Sequence, residues 1–250
     1  MAAASPPPML KYGIRHFRIG GILGVIAGCV AIGLPVLLFG LARYAPGGYF
    51  SVATSFVQSA SLLVLAGAIC GILSFHFYGS SCSHLRRAKL HFWAASVLCT
   101  IGTVGLLLVA IAAAFAAYAG SSLVGCAQGS LSDAFSCIES VSPLGAYIIV
   151  LGFWISWIGA IGIVLALSLG SGLFQSKFYA IAGVIYAILV VLLAGPLVAI
   201  VQPIPDVSLL LLLSPILAIL APTLVVLARP TIPQLLPIST PDQELPPPPR

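Results

Sequence analysis

The sequence predicts an all-α membrane protein, a bundle of about six transmembrane helices. Three observations carry that reading. Only 6% of residues are charged and 60% are hydrophobic, with a mean hydropathy of +1.18. A soluble domain carries about a quarter charged residues, and a soluble fold of this composition would expose large apolar patches. The charges that exist leave six long uncharged stretches, at 19–42, 44–85, 90–132, 140–176, 178–205 and 207–228. Each is long and apolar enough to cross a bilayer, which takes about 20 residues. The basic residues also fall almost entirely on one side of a six-crossing chain.

The elements follow in order. Residues 1–18 read as a short N-terminal tail, stiffened by Pro6, Pro7 and Pro8. The first helix covers 19–43; with 24 uncharged residues it exceeds the roughly 7–15 apolar residues of a cleavable signal, so it reads as retained. The second helix covers 54–78 and a polar loop follows at 79–90. The third covers 91–118, long enough to tilt. Residues 119–142 form the longest loop. The fourth helix covers 143–170, with 171–177 as a tight turn. The fifth covers 178–201. The sixth, 208–228, contains Pro215 and Pro222; partner helices can re-satisfy the backbone groups that such prolines free. The six helices make one transmembrane domain, 19–228. Residues 229–250 form a Pro-rich tail expected to be disordered, with polyproline character.

Six crossings put both termini on one side. Lys11, Arg15, Arg18, Arg86, Arg87, Lys89, Lys177, Arg229 and Arg250 then share that side, and Arg43 alone lies opposite. Basic residues stay cytoplasmic, so both termini are expected there, with the plasma membrane as the expected location. Lys11, Arg15 and Arg18 are spaced to share a helix face. With Arg86, Arg87 and Lys89 they would meet anionic lipid headgroups and fix topology. The net charge of +5 is scattered among short loops with no continuous basic stripe, which argues against nucleic acid. Each helix starting on the basic side opens with a basic residue, an aromatic and small residues: RHFRIGG at 15–21, KLHFWAA at 89–95 and KFYAIAG at 177–183. Interfacial aromatics explain this; three helix hairpins in tandem are the alternative.

Small residues recur four apart. Gly20, Gly24 and Gly28 mark the first helix, Gly67 and Gly71 the second, and Gly162, Ala166 and Gly170 the fourth. A second stripe on the fourth is Gly152, Ser156 and Ala160. Such stripes let helix backbones approach, within one bundle or between copies of the chain.

The chemistry-bearing residues are few. Cys126 and Cys137 fall in the outer loop, where an oxidising compartment would let them form a disulfide. His76, Cys82, His84 and His91 gather near the basic ends of the second and third helices. They match no metal spacing, and Arg86, Arg87 and Lys89 would repel a cation, so no metal or other cofactor is expected. No Asp, Glu, Lys or Arg lies in the middle of an expected helix, where ion-coupled carriers need one. No His or carboxylate lies at depth to activate a serine. Polar atoms in the helices come from residues such as Gln58, Ser59, Ser61, Ser96, Thr100, Thr103, Ser156, Ser168 and Ser214, expected to bond to backbone or neighbouring helices.

The segment LGFWISWIGAIGIVLALSLGSGLFQSKFYAIAGVIYAIL at 151–189 resembles archaeal multi-spanning membrane proteins of unknown function. Those chains repeat Gly-rich apolar helices and a short polar turn before an aromatic–Gly–Ile run. The resemblance implies an α-helical membrane fold and no activity. The expected function is therefore non-enzymatic: a structural or accessory membrane subunit acting by helix packing, as a homo-oligomer or in a membrane complex among lipids. The alternative is a channel or uncoupled facilitator for a small neutral solute.

Overall fold

The computed structural model describes residues 8–30, 49–86, 91–118, 143–199 and 207–229. Every regular element among them is a helix: α1 (Pro8–Gly28), α2 (Tyr49–Leu85), α3 (Phe92–Tyr118), α4 (Pro143–Phe174), α5 (Lys177–Ala199) and α6 (Val207–Leu227). Three stretches are long and apolar enough to cross a membrane, Ser61–Leu85, Phe92–Phe115 and Pro143–Phe174. Lys177–Leu193 and Ile216–Leu227 are shorter apolar helices over the described residues. The exposed side chains along α3 include Val104, Leu107, Ile111 and Phe115. A helix with apolar residues on its outer face suits a surface that meets lipid.

α3, α5 and α6 match the expected bounds closely, and α1, α2 and α4 differ. α1 begins at Pro8, where its missing N–H belongs to the unpaired first turn anyway. Residues 8–18, expected as tail, are therefore helical. α2 continues through the expected polar loop to Leu85, because Ser81, Cys82 and Leu85 are buried against neighbouring helices. At about 1.5 Å per residue its 37 residues span about 55 Å, well beyond the roughly 30 Å of a hydrocarbon core. α4 likewise runs to Phe174, and the turn contracts to Gln175 and Ser176. Gln175 takes φ 49°, the left-handed state that usually terminates a helix at glycine. The Ser176 N–H then donates to the Ser171 carbonyl at 3.3 Å.

Each helix packs antiparallel on its chain neighbours, and α6 packs back on α1 to close a ring. α6 remains helical through Pro215 and Pro222. Pro222 has no N–H for the Ala218 carbonyl. That carbonyl instead lies against Gly28 of α1, where an added Cβ would sit 2.9 Å from the oxygen. The freed polar group and the glycine thus meet at the seam that closes the ring.

The interior of the ring is aromatic at the end carrying Lys11, Arg15, Arg18, Lys177 and Arg229. Phe17 of α1 meets Tyr78 of α2 and Tyr179 of α5, each with ring centroids 5.6 Å apart. Phe174 of α4 meets Tyr179 at 6.0 Å. All four rings are fully buried, so they join opposite walls across the middle. Of the aromatics that follow the basic residues at helix starts, Phe17, Phe92 and Tyr179 lie in this core, whereas Trp93 and Phe178 are exposed.

Candidate functional site

Three kinds of seam position the side chains that carry any role. The first joins a side-chain hydroxyl or indole N–H to a backbone carbonyl of the neighbouring helix. Ser74 Oγ donates to the Gly20 carbonyl at 2.7 Å and Ser81 Oγ to the Gly13 carbonyl at 2.6 Å. Both serines are buried on α2 and both acceptors lie on α1. Ser96 of α3 donates to the Gly79 carbonyl of α2 at 3.0 Å, and Trp157 Nε1 of α4 to the Val190 carbonyl of α5 at 2.8 Å. Where apolar side chains or lipid replace water, such bonds have few competitors and contribute about 1 kcal/mol each.

The second kind is glycine against backbone. An added Cβ at Gly159 would fall on Gly102 Cα, and one at Gly105 on the Ser156 backbone nitrogen. At Gly162 it would sit 2.6 Å from Leu98 Cβ. The α3–α4 seam thus has almost no side-chain layer. Gly20 packs on Tyr78; an added Cβ would sit 3.1 Å from Pro222 at Gly24 and 2.8 Å from Leu106 at Gly71. Gly67 and Ala166 are buried. Gly170 is looser: an added Cβ there would lie 3.8 Å from Phe17 and Tyr179. The small-residue contacts resolved here are with neighbouring helices of the same chain. Spacing of four found Gly152 and Ser156 but not Gly102 and Gly105, which stand three apart.

The third kind is the buried hydroxyl cluster. Among the described residues, the Tyr78 hydroxyl lies near the Tyr186 hydroxyl without hydrogen-bond geometry, and the Tyr179 hydroxyl and Ser176 Oγ also have no partner. Arg18 stands close enough to Tyr179 to act on it electrostatically. Its Nη2 donates to the Ala228 carbonyl at 3.2 Å, tying α1 to the last turn of α6; a cation at a helix C-terminus is favourable. All five Asp and Glu of the chain lie outside the described residues. Among the described residues no imidazole bonds to these hydroxyls.

The remaining residues singled out by sequence separate. Cys82 is buried and lies near Cys99, whereas His76, His84 and His91 are exposed. Among the described residues no three of His, Cys, Asp and Glu come together to hold a metal ion. His84 instead meets His16 of α1, with ring centroids 5.3 Å apart. Sequence reading passed over His16, whose contacts lie more than sixty positions away. Cys29, Cys70, Cys82 and Cys99 are free. Cys126 and Cys137 lie outside the described residues, and the structure lends their disulfide no support. Lys11, Arg15, Arg18 and Arg86 are exposed; Arg87 and Lys89 lie outside the described residues, as do loop 119–142 and residues 1–7 and 230–250. Thr100, Thr103 and Ser156 bond to carbonyls four residues back in their own helices. Ser214 is buried; Ser59 and Ser168 are exposed, Ser61 is half-buried, and the Gln58 side chain lies outside the description.

No protein family, curated protein or solved structure matches this chain.

Proposed function

We propose that this chain is a six-crossing integral membrane protein with both termini cytoplasmic, acting as a structural or accessory subunit through its packed helices and lipid-facing surface. One observation carries the reading. The interior of the ring is occupied at its basic end by the fully buried Phe17, Tyr78, Phe174 and Tyr179. Packing of that density uses the interior for cohesion rather than passage. The outer surface, set with large apolar side chains, is left to meet lipids, a second copy or a partner membrane protein. The absence of charge from the helix centres fits the same role, since ion-coupled transport needs ionisable groups at depth.

The test is purification of the full chain in mild detergent, followed by mass spectrometry and determination of the particle's mass. A second copy or a particular membrane protein in fixed ratio is the expected result. A lone monomer that passes solutes in liposomes would replace this reading.

A second reading, a facilitator for a small neutral solute, is favoured by the unpartnered hydroxyls of Tyr78, Tyr179 and Ser176. Such groups would bond a polar solute if the aromatic layer opened.

A further inference from the structure

Along the α1–α2 seam, at the basic end of the ring, several polar side chains reach the outer surface. His16 of α1 and His84 of α2 meet across the seam. Ser80 Oγ and His16 Nδ1 share a hydrogen bond of 3.2 Å. Tyr12 lies 6.3 Å from the His84 ring, and Phe77 stands edge-on to both His16 and His76 at 5.5 and 5.9 Å. His84 and Arg15 are exposed and His16 is half-buried. Burial, then the charges of His84, Arg15 and His76, hold the His16 imidazole below its ordinary range. Those charges come from α1 and α2; α6, the other helix packed on α1, contributes none of them. One to three turns deeper, the same two helices become apolar outside, exposing Ile22 and Ile26 on α1 and Ile69 and Leu73 on α2.

We propose that His16, Ser80, His84 and Arg15 bind the phosphate of an anionic phospholipid whose acyl chain lies along Ile22, Ile26, Ile69 and Leu73. The inference rests on the membrane reading above. The phosphate brings negative charge to this cluster of basic groups, and Arg15 is suited to its oxygens. When His16 is protonated, Nδ1–H donates to Ser80, whose hydroxyl proton is then free to donate to the phosphate. A bound anion favours the imidazolium forms, so binding and proton uptake reinforce each other. The apolar continuation selects a lipid over free phosphate.

Full-length protein in mild detergent is titrated with dioleoyl phosphatidylglycerol, dioleoyl phosphatidylcholine and inorganic phosphate, at about pH 5.5 and about pH 7.5 on either side of the usual histidine range. Native mass spectrometry reads the bound lipid. Phosphatidylglycerol is expected to bind about tenfold more tightly than phosphatidylcholine, and several-fold more tightly at the lower pH. H16Q/H84Q is expected to lose the pH step. R15Q is expected to weaken binding roughly fivefold at both pH values and keep the step. Equal binding of the two lipids, or a pH step that survives in H16Q/H84Q, overturns the proposal. So does saturation by inorganic phosphate alone, which would mark a soluble-anion site. Should a melting curve show that H16Q/H84Q does not fold, H84Q decides in its place: His84 is exposed, and its loss must reduce the step. Flotation with liposomes after detergent removal tests the membrane reading separately; a chain left in the aqueous phase fails that reading, whatever the lipid titration shows.

Discussion

The α3–α4 and α1–α2 seams join neighbouring helices of one ring by different means. Along α3–α4 the backbones meet at Gly102, Gly105, Gly159 and Gly162, with almost no side chain between them. Along α1–α2 the helices stand apart enough for Tyr78 to pack on Gly20, and Ser74 and Ser81 bridge to α1 carbonyls. A glycine seam gains from many small dispersion contacts and fails sharply when one atom is added. A serine seam gains from discrete bonds and weakens by steps. In a chain without charges at the helix centres, these two devices do the work that ion pairs and amphipathic patterning do elsewhere.

The largest effect is expected in the glycine seam. Gly159→Val places branched carbons on Gly102 Cα, so α3 and α4 must separate. A loss of about 3 kcal/mol or more is expected, read as failure to recover folded protein or as a large fall in melting temperature. Gly170→Ala, a glycine change of the same kind at a looser site, should leave the melting temperature nearly unchanged. If both variants behave alike, close approach is not what distinguishes the α3–α4 seam.

The serine seam should respond more mildly. Ser81→Ala and Ser74→Ala are each expected to cost about 1 kcal/mol, with the two losses roughly additive because the serines lie two turns apart. Unfolding in graded denaturing detergent reads this. Losses as large as that of Gly159→Val would mean that the hydroxyls also hold something besides the Gly13 and Gly20 carbonyls.

The smallest change should come at the turn outside both seams. Gln175→Gly relieves a left-handed backbone conformation and is expected to stabilise the protein by about 0.5–1 kcal/mol. A decrease would show that the Gln175 side chain contributes more than its strained backbone costs.

Much of this architecture was legible in the uncharged stretches. The bounds of α3, α5 and α6 are close to those read from hydropathy, since charges and prolines mark helix ends on both chemical grounds. The ends of α1 and α2 were not legible. Lys11, Arg15 and Arg18 look like tail, and Ser80, Ser81 and His84 look like loop, until each helix supplies the other's partner across the seam. Gly102 and Gly105 were hidden by a spacing of three, because a close crossing needs small residues only where the helices touch. His16 was hidden by distance: nothing near it in sequence announces His84 or Ser80. The buried end of the site was partly legible, since the aromatics after Arg15, Lys89 and Lys177 recur. An interfacial position and a core position have the same local sequence, and only the closing of the ring separates them.

The central claim is that the filled interior serves cohesion. It is tested most directly by solute flux through liposomes containing the purified full chain. Glycerol and urea are expected to enter no faster than into empty liposomes, because Phe17, Tyr78, Phe174 and Tyr179 close the ring. Entry well above the empty control would contradict the claim and favour the facilitator reading, with the Tyr78, Tyr179 and Ser176 hydroxyls as its polar lining.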